Sequence, residues 1–177
     1  LAFSGISERA VEVAYANPRR RFYWDWRRRL EAEGYRSFCG TPPIHHIFGL
    51  NEALSMFEEE GGIQAVTNRH RCLATAVRAA VEAWSSAGAI EFNAENEHER
   101  SDSVTCVRVD PEYDADQVIE IARDKYKLTM GKGIGPLTGS AFRIGHLGDL
   151  NVPMVLGALG ALETSLRACR IPIGSGG

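Results

Sequence analysis

The residue of this chain best placed to do chemistry is Arg143, within Phe142-Arg143-Ile144-Gly145-His146-Leu147-Gly148-Asp149. Apolar residues flank it, glycines follow, and the pattern is that of a short strand running into a final helix. An arginine inside such a strand is costly to bury unless an anion meets it. A planar guanidinium meets a carboxylate best, through two parallel hydrogen bonds. Arg143 is therefore either half of a structural ion pair or the receptor of a carboxylate ligand, and position alone leaves the two readings even.

Thr41 is the second candidate. It precedes Pro42 at the head of an apolar stretch and reads as an N-cap with proline at the first helical position. Such a cap turns amide N–H groups and a hydroxyl outward, suited to an anion, although most Thr-Pro starts are plain caps. Lys132 lies in Gly131-Lys132-Gly133-Ile134-Gly135-Pro136. That loop has neither the strand–G-x-G-x-x-G–helix context of a dinucleotide site nor the G-K-[ST] ending of a P-loop, so it reads as a turn between two strands. His45 and His46 are adjacent on a helix, point to different faces and cannot chelate together; one is expected packed and one at a surface or interface. His146 could approach a ligand or simply pack at the strand end. Cys39, Cys72, Cys106 and Cys169 are scattered without a C-x-x-C pair, which fits free thiols in a reducing, cytoplasmic setting and no metal site.

The elements that must position these residues follow from periodicity. Leu1 to Ile6 reads as a buried strand already under way, so the chain reads as a fragment. Ser7 caps a short helix ended by Asn17-Pro18. Arg19 to Arg29 interleaves arginines with aromatics, a pattern able to bind nucleic acid. The plainer reading is a helix burying Phe22, Trp26 and Leu30 with its arginines solvated, because residues 1–36 hold eight arginines against five acids. A helix follows Thr41 and breaks at Gly61-Gly62. Ile63 to Trp84 carries a helical apolar stripe through Val66, Leu73, Val77, Ala80, Val81 and Trp84. Ile90–Phe92, Val104–Val109, Lys127–Met130 and Phe142–Leu147 read as strands. Asp114–Arg123 and Val152–Ala168 read as helices, and Gly174 to Gly177 as a frayed end. From residue 63 the order is helix–strand–strand–helix–strand–strand–helix, an α+β unit with an antiparallel sheet and helices on one face.

Composition excludes several classes. A 44% apolar and 24% charged share over 177 residues is ordinary for a globular chain. A net charge of −3 argues against a general nucleic-acid binder, and no apolar run reaches the roughly 18 residues of a membrane span.

Gly40-Thr41-Pro42-Pro43-Ile44-His45-His46-Ile47-Phe48-Gly49-Leu50-Asn51-Glu52-Ala53-Leu54 and the Arg143 motif, with Phe22-Tyr23-Trp24-Asp25-Trp26 before them, resemble the C-terminal part of class V pyridoxal-phosphate aminotransferases, within them the serine–glyoxylate and alanine–glyoxylate group. The resemblance covers nearly the whole chain. It implies an α/β protein of the fold type I transferases, with residues 1–60 the C-terminal segment of the large cofactor-binding domain and 61–177 the small domain. It implies that Arg143 binds the α-carboxylate of amino-acid and 2-oxo-acid substrates. It further implies that Thr41 reaches the phosphate of pyridoxal 5'-phosphate held by the neighbouring subunit of a homodimer with a shared active site. The family often carries a tyrosine three residues before that threonine; here Phe38 offers no hydroxyl. The Schiff-base lysine of the family lies in a Gly-Ser-Gln-Lys segment upstream of the point matching Leu1, as does the aspartate that partners the pyridine nitrogen. No catalytic residue is therefore expected in this chain, which has only Lys125, Lys127 and Lys132, none in that context. The expected activity, with the N-terminal remainder present, is transfer of an amino group from serine, alanine or aspartate to glyoxylate or another 2-oxo acid. The alternative is a non-catalytic interaction module.

Overall fold

The computed structural model describes residues 1–175, and its chain divides into two compact units, Leu1–Glu60 and the part from Gly61 onward.

In the first unit, Leu1 to Ile6 forms no strand. Among the described residues no neighbouring strand takes its backbone hydrogen bonds, and Leu1 and Phe3 are exposed. Helix α1 (Glu8–Ala16) is capped as the sequence indicates, the Ser7 hydroxyl accepting from the Ala10 N–H at 3.3 Å. The expected helix burying Phe22, Trp26 and Leu30 is replaced by a five-residue α2 (Trp26–Leu30). Phe22 and Leu30 are 62% and 51% exposed, because one short turn cannot carry a helical stripe across residues 22–30. Burial goes instead to Asp25 and Arg27, joined by two hydrogen bonds of 2.7 and 3.0 Å, with the Asn17 carbonyl accepting a third from Arg27. Arg27 is thus buried where a solvated arginine was expected, while Arg28 lies over the Phe22 ring at 3.8 Å.

Helix α3 (Ile44–Glu60) starts later than expected. Pro42 is followed by Pro43, and a residue before proline is pushed out of the helical region. The first helical bond therefore runs from the Ile47 N–H to the Pro43 carbonyl, at 3.0 Å. Gly61 and Gly62, with φ of 107° and 83°, end α3 in a backbone conformation that side chains resist.

The second unit is α4 (Ile63–Ser85), β1 (Ile90–Phe92), β2 (Val104–Val109), α5 (Ala115–Tyr126), β3 (Gly131–Lys132), β4 (Ala141–Gly145) and α6 (Val152–Ala168). The four strands make one antiparallel sheet in the order β1-β2-β4-β3. Directly opposed residues share a face, and the pairings Val107↔Phe142, Thr105↔Ile144 and Ile90↔Val109 set a buried face against α4 and α5. Every apolar position of the α4 stripe, from Val66 to Trp84, is buried. Helix α6 packs on α4 and α5 and closes the core through Val155, Leu159, Leu162 and Leu166.

Lys127 to Met130 is not a strand. Lys127 takes a left-handed conformation (φ 60°) that caps α5, and pairing begins only at Gly131. Gly174 is held by its N–H donating to the Trp84 carbonyl at 3.1 Å, against the frayed end expected there; Gly176 and Gly177 lie outside the described residues.

Candidate functional site

Strand periodicity decides where Arg143 points. Phe142 and Ile144 face the core, so Arg143 stands on the opposite, open face, beside Cys106 of β2 and Gly131 of β3. It is half-buried, not enclosed as an arginine within an apolar strand suggests. Its Nε–H donates to the Lys132 carbonyl at 2.9 Å. The side chain lies across Gly131, where an added Cβ would come within 3.0 Å of Nε. Among the described residues no carboxylate pairs with it. With Nε occupied, the two terminal nitrogens form the free edge, oriented by β3 and able to take a carboxylate end-on through two hydrogen bonds. Burial pushes the neighbouring Cys106 thiol up, against the opposing pull of Arg143 and Arg108.

Lys132 is committed elsewhere. Its Nζ sits 2.8 Å from Asp116 Oδ2, and that hydrogen bond raises its pKa. An amine held protonated and half-exposed is the opposite of the desolvated, deprotonated lysine that attacks a carbonyl.

His146 is fully buried. Its Nδ1 lies 3.0 Å from the Asp102 carbonyl, which can only accept, so Nδ1 carries the proton. Its Nε2 lies 2.9 Å from the Thr105 hydroxyl. Desolvation lowers its pKa. Of the two readings of His146, packing is the one that holds. The Asp102 carboxylate is desolvated too, yet hydrogen bonds from Arg78 and Arg71 outweigh that and keep its pKa low.

Thr41 is exposed in the first unit, three residues ahead of α3 and not its cap, with its hydroxyl unpartnered among the described residues. Phe38 is 45% exposed, and His45 and His46 are both exposed, so neither histidine is the packed one expected. The described residues hold no cluster arranged to bind a metal, and no helix is long and apolar enough to cross a membrane.

Three residues escape a reading of the sequence: Gly131, Arg69 and His70. His70 carried a signal, since it stands four residues after Val66 and three before Leu73, on the apolar stripe of α4, where a buried polar residue needs a partner. That partner is the Gly148 N–H, 2.9 Å from Nε2.

This four-stranded antiparallel sheet layered with helices is shared with fold type I pyridoxal-phosphate aminotransferases. The solved ureidoglycine–glyoxylate aminotransferase of Bacillus subtilis matches it with a TM-score of 0.79 at 25% identity, over 96% of this chain and 43% of that one. Pyridoxamine–pyruvate aminotransferase of Mesorhizobium loti matches with a TM-score of 0.76 at 28% identity. The chain belongs to the class V aminotransferase family, whose model, Aminotransferase class-V, matches residues 26–136. It is 35% identical to a serine–glyoxylate aminotransferase of Methylorubrum extorquens, over 97% of its own length and 43% of that protein. It is 34% identical to an L-aspartate–glyoxylate aminotransferase of Paracoccus denitrificans, over 99% and 44%. The chain thus spans less than half the length of the relatives it matches.

Proposed function

We propose that this chain supplies the substrate-clamping part of an aminotransferase that moves an amino group from serine, alanine or aspartate to glyoxylate or another 2-oxo acid. The observation that carries the reading is the Arg143 guanidinium, oriented by the Lys132 carbonyl and without a carboxylate partner among the described residues. The relatives named as serine–glyoxylate and aspartate–glyoxylate aminotransferases support the substrate class.

Amino donor and oxo acceptor both present an α-carboxylate, so one guanidinium serves both half-reactions. Its two terminal N–H groups would fix the carboxylate plane and thereby the direction of the Cα substituents. Thr41 would donate its free hydroxyl to the phosphate of pyridoxal 5'-phosphate across a homodimer, with residues 1–60 ending the large domain and the unit from Gly61 forming the small one. Exposed Ile44 and Phe48 on α3 support a surface that another subunit covers. The residues present fit the cofactor in part: a free hydroxyl for its phosphate and a free cation for the substrate. None of Lys125, Lys127 and Lys132 suits as its anchor, Lys132 being paired with Asp116. When bound, pyridoxal phosphate supplies the electron sink for amino transfer. The free cysteines fit a cytoplasmic protein. A second reading, a module with no catalysis of its own, is favoured by that same lack of a suitable lysine.

Replacing Arg143 with alanine in the transaminating protein should cost about 2–5 kcal/mol in kcat/KM, for donor and acceptor alike. Steady-state kinetics of each half-reaction checks this, and unchanged values would remove the assignment.

A further inference from the structure

Beyond Arg143 the backbone does not run free. The His146 N–H extends the β2–β4 ladder by donating to the Ser103 carbonyl at 3.0 Å. The chain then turns at Gly148 (φ 113°) toward α6. Helix α4 grips this turn from both sides. Arg69 donates one N–H to the Gly148 carbonyl at 2.8 Å, and the same nitrogen reaches the Leu150 carbonyl at 3.2 Å. His70 takes the Gly148 N–H on Nε2 at 2.9 Å, while its own Nδ1 lies 2.7 Å from the Val66 carbonyl.

These contacts fix the chemistry of the imidazole. The Val66 carbonyl can only accept, so Nδ1 must carry a proton. The Gly148 N–H can only donate, so Nε2 must be bare. Only the neutral Nδ1–H tautomer satisfies both, and neither the other tautomer nor the cation does. His70 is 8% exposed, so a lost bond there would not be replaced cheaply by water.

We propose that His70, as a neutral imidazole acting with Arg69, is a positioning residue for the Arg143 carboxylate site. Arg143 is held at two ends. Strand β3 orients its side chain through the Lys132 carbonyl, and α4 pins the main chain five residues downstream. With the Gly148 bond gone, the end of β4 loosens and the guanidinium samples a wider range of directions. His70 touches no ligand in this scheme and acts through the 146–150 turn. The proposal rests on the reading of Arg143 as a carboxylate receptor.

Nuclear magnetic resonance on the full chain tests it, with His70→Ala, His70→Gln and Arg143→Ala. In the unsubstituted chain the His70 ring should show a protonated Nδ1 and a bare Nε2 coupled to the Gly148 N–H. A ring protonated at Nε2 would overturn the proposal, whatever the variants do. His70→Ala should speed Gly148 amide exchange about tenfold, the value of one hydrogen bond of ordinary strength. It should also broaden the Arg143 Nε–H signal and weaken its response to added glyoxylate. Glutamine, whose amide oxygen can accept from Gly148, should restore all three. Wild-type exchange and an unchanged Arg143 signal in His70→Ala, or a folded His70→Gln without protection at Gly148, would overturn the proposal. An Arg143 signal indifferent to glyoxylate in the unsubstituted chain, with Gly148 exchange still governed by residue 70, would instead count against the carboxylate reading. In Arg143→Ala, Gly148 should stay protected, because the grip of α4 does not depend on the guanidinium.

Discussion

The two units handle their large side chains in opposite ways. From Gly61 onward, Trp84, Phe142, Leu162 and Leu166 are fully buried in one continuous core. In residues 1–60 the buried residues are Asp25 and Arg27, while Phe3, Phe22, Trp24 and Phe48 stand exposed. One unit therefore owes its stability to apolar burial within the chain. The other is held by caps, a buried ion pair and arginines lying over aromatic rings, and its large apolar side chains build no core of their own. The lesson is where stability and function lie. The sheet that carries Arg143 is backed by a core within its own unit, whereas Thr41 stands on an exposed surface.

Substitutions should divide along the same line. The largest effect belongs to Trp84→Ala, which opens a cavity under the sheet and removes the Nε1–H that donates to the Glu163 carboxylate, leaving Glu163 only its pair with Arg167. A loss of about 3–5 kcal/mol is expected, read from the denaturant midpoint. Next comes acid. Burial holds the folded His146 below its ordinary pKa of 6.5, so below that pH the unfolded chain binds more protons than the folded one. Stability contributed by His146 is therefore full above the ordinary histidine range and lost as pH falls through it toward the lowered folded value. Urea midpoints at neutral and mildly acid pH should show a steeper fall for the natural chain than for His146→Gln. The smallest effect should be that of Phe48→Ser on α3, within about 0.5 kcal/mol. A large loss there would show that the first unit has a core after all and would break the contrast.

The same contrast explains what could be read in advance. The second unit was legible almost residue by residue. Its helices and strands are covered within the chain, so α4 keeps a 3.6-residue stripe and β2 a two-residue alternation, and both patterns are complete in local sequence. Leu1–Ile6 and Phe22–Leu30 misled because apolar spacing there matches no partner within their own unit. Thr41 misled through a local rule, Pro43 overriding the helix start that Pro42 advertises. Lys127–Met130 has strand-like composition, but the left-handed cap of α5 uses its first residue. The position of Arg143 was plain. Its openness was also implicit, since Phe142 and Ile144 claim the core face and leave residue 143 the other. Its unpaired state was not, because ion-pair partners come from distant residues and only the folded sheet shows that none arrives among the described residues. His70 was missed for a related reason, its partner lying 78 residues away.

The central claim is that Arg143 is reserved for a ligand and contributes little to the fold. Thermal unfolding of the natural chain and of Arg143→Ala, each with and without glyoxylate, tests it most directly. Without ligand the two should melt within about 1–2 °C of each other, as expected for a residue with one side-chain hydrogen bond and no ion pair among the described residues. Glyoxylate should raise the melting temperature of the natural chain in proportion to ln(1 + [L]/Kd) and leave the variant unmoved. A drop of many degrees in the unliganded variant, or an equal rise in both proteins, would contradict the account.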